Sequence, residues 1–105
     1  MQIQVHTDHN LEGGEKFISY VKGVVEGALS HLGERITSVD VHVSDENGAK
    51  AGAADKRCMV EARLQGHQPI AVTHHAMNID EAVDGALEKL GRSLESTFGR
   101  LHDKR

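Results

Sequence analysis

Four basic side chains, Lys89, Arg92, Arg100 and Lys104, recur at helical spacing near the end of this 105-residue sequence. The chemistry open to such a set is neutralisation of phosphate, which releases condensed counterions from a nucleic acid. In "AVDGALEKLGRSLESTFGRL", residues 82–101, and its flanks the charges are sorted rather than mixed: Glu81, Asp84, Glu88 and Glu95 occupy a strip of their own. On a wheel of 100° per residue, Ala86, Leu87, Leu90, Leu94, Thr97 and Leu101 share one direction. The acidic strip then lies roughly 120° to one side, and the basic strip, with Gly85, Ser93 and Ser96 interleaved, roughly 120° to the other. Charges that flank a core also solvate a helix and form i,i+4 pairs such as Glu88 with Arg92. A strip of one sign fits, in addition, a surface that meets an anionic partner.

A second chemistry is open to histidine, of which the chain has eight. Strand alternation puts His6, His42 and His75 on one sheet face with Asp40 and Glu61. Imidazoles beside carboxylates are ligands for zinc or nickel, so these three are the metal candidates, subject to strand register. In "THHAMN" the adjacent His74 and His75 point to opposite faces and form no joint site. Nothing assigns a catalytic residue or a cofactor: the sequence has no glycine-rich phosphate loop, no nucleophile motif and no His-Glu-x-x-His run. Cys58 is the lone cysteine, without a Cys-x-x-Cys or Cys-plus-His ligand spacing, and alternation puts it on the buried face as an inert packing residue.

The elements that position these residues follow from hydrophobic period. "MQIQVHTD" alternates Ile3 and Val5 against Gln2, Gln4 and His6, which predicts a half-buried strand. From Glu12 to Leu32, Phe17, Val21, Val24, Val25, Ala28, Leu29 and Leu32 fall at helical spacing, with Gly33 as the stop. Gly23 and Gly27 weaken this helix by roughly 1 kcal/mol each relative to alanine, which suggests that something packs closely there. "ITSVDVHVS" alternates again. "DENGAKAGAAD" reads as a solvated loop whose Asp45, Asn47 and Gly48 lack the remaining ligands of a calcium loop. "KRCMVEARLQ" places Cys58, Val60, Ala62 and Leu64 on one face and Arg57, Met59, Glu61 and Arg63 on the other. After the turn "GHQP", "IAVTHH" is a fourth strand with Pro69 at its entrance. Asn78 with Glu81 three residues on predicts the start of a second helix that runs to about His102, roughly 36 Å.

The fold class is therefore α+β, in the order β-α-β-β-β-α. The strand-helix-strand crossover predicts a parallel first pair, and the short last turn an antiparallel hairpin. Each strand has one apolar face, so both helices lie on one side of a four-stranded mixed sheet and the other side is left open.

A chain of 105 residues predicts one domain spanning 1–105. No basic stretch followed by an apolar run opens the chain, no stretch approaches a membrane span, and the lone cysteine suits a reducing compartment, so a cytoplasmic location is the expectation. Net charge is −4, which excludes a uniformly basic nucleic-acid binder. Residues 1–55 hold four basic and nine acidic side chains, net −5, and residues 56–105 eight and seven, net +1. Attraction to phosphate must come from the second half.

The element order, the length and "AVDGALEKLGRSL" together resemble the ribosome hibernation-promoting factor family, also called ribosome-associated inhibitor or sigma-54 modulation proteins. Ala82, Asp84, Lys89, Leu90, Arg92 and Leu94 match that family's spaced pattern of Ala, Asp, Lys-Leu, Arg and Leu, and "MQIQV" and "VDVHV" agree with it. The resemblance implies a short form with a fold like a double-stranded-RNA-binding domain. It implies binding to the small ribosomal subunit and its rRNA, near the channel for messenger and transfer RNA, and silencing of translation in stationary phase or stress. Neither a membrane nor a small-molecule substrate is implied. Carried over by match, Lys89 and Arg92 are phosphate contacts. Arg100, Lys104 and Arg105 extend that surface, and Lys22 is the contribution of the first helix, which otherwise departs from the basic helix faces of the family. An alternative follows from the acidic first half and the histidines: a protein-binding or metal-sensing module of the same fold that no longer binds ribosomes.

Overall fold

The computed structural model describes residues 1–8, 14–46 and 55–103, the last four by backbone alone. Strand β1 (Gln2–Thr7) leads into helix α1 (Glu15–Leu29), which tightens into a 3-10 segment, Ser30–Arg35. Strands β2 (Ile36–Asp45), β3 (Lys56–Leu64) and β4 (His67–Ala76) follow, and helix α2 (Ile79–Asp103) closes the order. The sheet order is β1-β2-β3-β4. β1 runs parallel to β2, and the other two pairs are antiparallel. This is the mixed sheet that alternation and the crossover predict.

Register settles which side chains share a face. Ile3 sits beside Val39 and Val5 beside Val41, while Val41 faces Val60 and Val60 faces Val72. These apolar rows are covered by Val21, Val25 and Leu29 of α1 and by Ala82, Ala86, Leu90 and Leu94 of α2, all in one core. Both helices therefore lie on one side. The outer face carries the rows Gln4, Asp40, Glu61, Ala71 and His6, His42, Met59, Thr73.

Three local readings change. The turn before β4 is only Gln65 and Gly66, where Gly66 takes a φ of 73°, the left-handed region that a two-residue hairpin needs. Pro69 thus lies inside β4, an edge strand, where a missing N–H costs no ladder bond. Gly33 does not stop α1, because the chain passes at Ser30 into the 3-10 segment that contains it. Ala28, counted with the apolar stripe, is exposed.

Gly23 and Gly27 find no close neighbour in the described part of the fold. A Cβ at either would meet no atom within 4 Å, so among the described residues no close packing explains them. The expected start at Glu12 and most of the 45–55 loop lie outside the described residues. The ends of that loop are not solvated. Asp45 and Asp55 are both buried and flank Lys56, at 3.3 Å and 3.1 Å from its ammonium. The hydrogen bond to Asp55 above all, joined by Asp45, holds the Lys56 pKa above the ordinary lysine value.

Candidate nucleic-acid interface

Helix α2 starts where the sequence places it: the Glu81 backbone N–H donates to Asn78 Oδ1 at 2.9 Å. Asp80 and Glu81 add negative charge to the first turn, where the helix dipole favours it. Ala86, Leu87, Leu90, Leu94 and Thr97 are buried as the wheel requires, and Phe98 joins them. The Phe98 ring receives the Arg35 guanidinium 4.9 Å from its centroid, which ties the 3-10 segment to the far half of α2.

Two contacts seat the basic side of α2 along β4. Pairing puts His74 beside Cys58 and so on the core face, where its ring fills the space that a side chain at Gly85 would need. One turn further, Lys89 Nζ donates to the Thr73 carbonyl at 2.9 Å. The ammonium thus covers an acceptor of an edge strand, a position that otherwise invites pairing with another strand. Arg92 Nη1 donates to Glu88 Oε1 at 2.8 Å, an exposed i,i+4 pair. The basic and acidic strips therefore touch at Glu88.

Of the six candidate RNA-contacting residues, Lys89 and Arg92 are brought together, both exposed on adjacent turns of α2. Arg100 lies on the same helix, with its side chain outside the described set, as are Lys104 and Arg105. Lys22 is exposed on α1, a separate element.

The three histidines do lie on the outer sheet face, as alternation predicts, but do not converge. His6 and His42 are register partners on β1 and β2, and their rings stack with centroids 4.5 Å apart and planes 16° from parallel. His75 is on β4 and donates through Nε2 to Glu46 Oε1 at 2.8 Å. Two strand spacings of roughly 4.8 Å each separate it from β2. Among the described residues no three His, Cys, Asp or Glu side chains are grouped to hold a metal ion. The three candidates His6, His42 and His75 are thus not brought together as one ligand set. Cys58 is wholly buried, and burial pushes its thiol pKa up to about 12, which removes the thiolate that reactivity needs.

The sequence model of the sigma 54 modulation protein / S30EA ribosomal protein family matches residues 3–102. The chain belongs to that family. Among solved structures, this family member is similar to the N-terminal domain of Protein Y from Thermus thermophilus, with a TM-score of 0.68 at 21% identity. That match covers 92% of this chain and 99% of the other. It is also similar to a ribosomal subunit interface protein from Coxiella burnetii, with a TM-score of 0.72 at 15% identity over 94% of this chain and 99% of that one. At such identities the likeness establishes the fold, a four-stranded mixed sheet under two helices. No curated protein matches the chain.

Two features of the family member's α2 surface escape sequence reasoning. Gly85 reads as a small residue interleaved in the basic strip, but it is the seat of His74. The Lys89 bond to Thr73 depends on how α2 lies over the sheet, and no local pattern carries that. The alternation that turns His74 inward was the available signal for the first, and the period of α2 for neither partner of the second. No helix among the described residues is long and apolar enough to cross a membrane.

Proposed function

We propose that this protein is a cytoplasmic, non-enzymatic ribosome-associated factor. It binds the small subunit near the messenger and transfer RNA channel and silences translation in stationary phase or stress. The observation that carries this reading is the family match over residues 3–102. The name of the Coxiella burnetii relative, a ribosomal subunit interface protein, agrees with it.

Physical support comes from α2. Lys89 and Arg92 are exposed, and each holds only an exchangeable surface partner, a carbonyl or a carboxylate. A phosphate oxygen can replace either, because charge-assisted bonds to an anion are the stronger kind. Recognition of this sort reads shape and backbone rather than base sequence. The metal-sensing alternative has no comparable support, since its three histidines are spread over the sheet face.

Sucrose-gradient cosedimentation with ribosomes from starved cells, at low and high salt, tests the reading. Salt-sensitive comigration with the small subunit is expected. Lys89→Glu with Arg92→Glu abolishes it, while the amide spectrum and unfolding midpoint show a folded chain. Unchanged comigration of the folded double variant removes these residues from the interface. Failure of the wild type to comigrate at low salt removes the function.

A further inference from the structure

On the side of the sheet away from both helices, the parallel strands β1 and β2 end together beside a small hollow. It has a volume of about 200 Å³ and is lined by His6, Thr7, Asp8, His42, Ser44 and Arg57, among others. Register puts His6 beside His42 and Ser44 opposite Arg57, so the stacked imidazoles and the guanidinium lie on adjacent rows of one face. Asp40 engages His6 at 3.5 Å. Glu46 makes its short contact with His75, and Arg57 Nε is 3.8 Å from Glu46, too far for a hydrogen bond. Arg57 is ion-paired through Nε with Glu46 without a hydrogen bond, so a phosphate at its guanidinium competes with that carboxylate.

We propose that this hollow is a subsite for one nucleotide of single-stranded RNA, with the base on the histidine pair and the adjoining phosphate on Arg57. His6 is exposed and His42 half-buried, and rings on a sheet face beside a cation are the arrangement by which sheets take up unpaired nucleotides, because every base has a π-face to stack. The volume is below the several hundred Å³ that enclose a free small molecule. It suits one unit of a polymer held elsewhere. Asp8, which also lines the hollow, and Asp40 and Glu46 beside it oppose phosphate, so stacking contributes more than charge and the subsite discriminates little between bases. The choice of RNA over DNA rests on the ribosome reading; the stacking site does not. The protein would then touch RNA on two sides, with α2 and with the outer sheet face.

The test is an NMR titration of the full chain with a short oligoadenylate, followed at the histidine ring and backbone amide signals. Saturable shifts of His6, His42 and Arg57 are expected. His42→Gln, which removes the stack and keeps polarity, weakens them roughly tenfold. Arg57→Gln reduces the salt slope by about 0.7, the share of one phosphate on a single strand. Lys89→Glu with Arg92→Glu leaves the sheet-face shifts in place, so they remain readable if ribosome cosedimentation fails. Shifts confined to α2, shifts indifferent to His42→Gln in a folded chain, or no shifts at all overturn the subsite whether or not the protein cosediments with ribosomes.

Discussion

A methyl group at position 85 would overlap the ring of His74, including the atom next to its Cβ, so the ring cannot simply swing its far end aside. Gly85→Ala adds helix propensity worth about 1 kcal/mol, but overpacking at a closed contact costs about 1–3 kcal/mol. A net loss of up to about 2 kcal/mol in urea unfolding is expected, and the comparison between backgrounds is the informative part. In a His74→Ala background the overlap is gone, and Gly85→Ala becomes neutral or stabilising. The same loss in both backgrounds would mean that the glycine serves something other than the ring. This pair also marks where residue-level reading stops. Alternation turns His74 inward and His75 outward, as found, but the meaning of a glycine lies in what another element brings against it. His6, His42 and His75 share the expected face without converging, because alternation gives the face of a strand and not the distance across a sheet.

Helix α1 shows that limit from the opposite side. Its buried stripe, Val21, Val25 and Leu29, was legible from period alone, as were the inward rows Val39, Val41, Val43 and Cys58, Val60, Ala62. Order, pairing direction and the helix-covered face followed from those periods and from connection lengths. The cost of Gly23 and Gly27 in helix propensity suggests a close neighbour, and among the described residues there is none. Both face open space in helical backbone, where alanine fits without strain. Each substitution to alanine is expected to stabilise the chain by roughly 0.4–1 kcal/mol, and the two to add nearly independently. Urea unfolding of the two single variants and the double checks this. A loss of stability in either single variant would show a packing role that the fold does not reveal.

For the whole molecule the proposed function raises the question of how a chain of net charge −4 would hold on to phosphate. The two halves of the sequence answer it only in part, because the acidic strip is not remote from the basic one: Glu88 holds Arg92 at 2.8 Å. Before Arg92 can meet a phosphate it must leave this carboxylate, which also repels the phosphate that replaces it. An exposed i,i+4 pair is worth only about 0.3–0.5 kcal/mol, so its loss as a structural contact matters little. As a competitor it matters more, since both the exchange and the repulsion act against binding. Glu88→Gln is therefore expected to leave the unfolding midpoint nearly unchanged and to tighten ribosome association by at least about twofold, the factor that 0.5 kcal/mol represents. Four or five phosphate contacts give a salt slope of roughly −3 to −4 for the wild type. The variant keeps every cation and so keeps that slope, with its binding curve displaced to higher salt. Cosedimentation across a salt series separates the two quantities. A displaced curve of equal slope identifies Glu88 as a built-in competitor for the RNA-facing surface. If the curve does not move, Arg92 stays with Glu88 in the complex, and the phosphate contacts are made by Lys89 and the residues that follow it along α2.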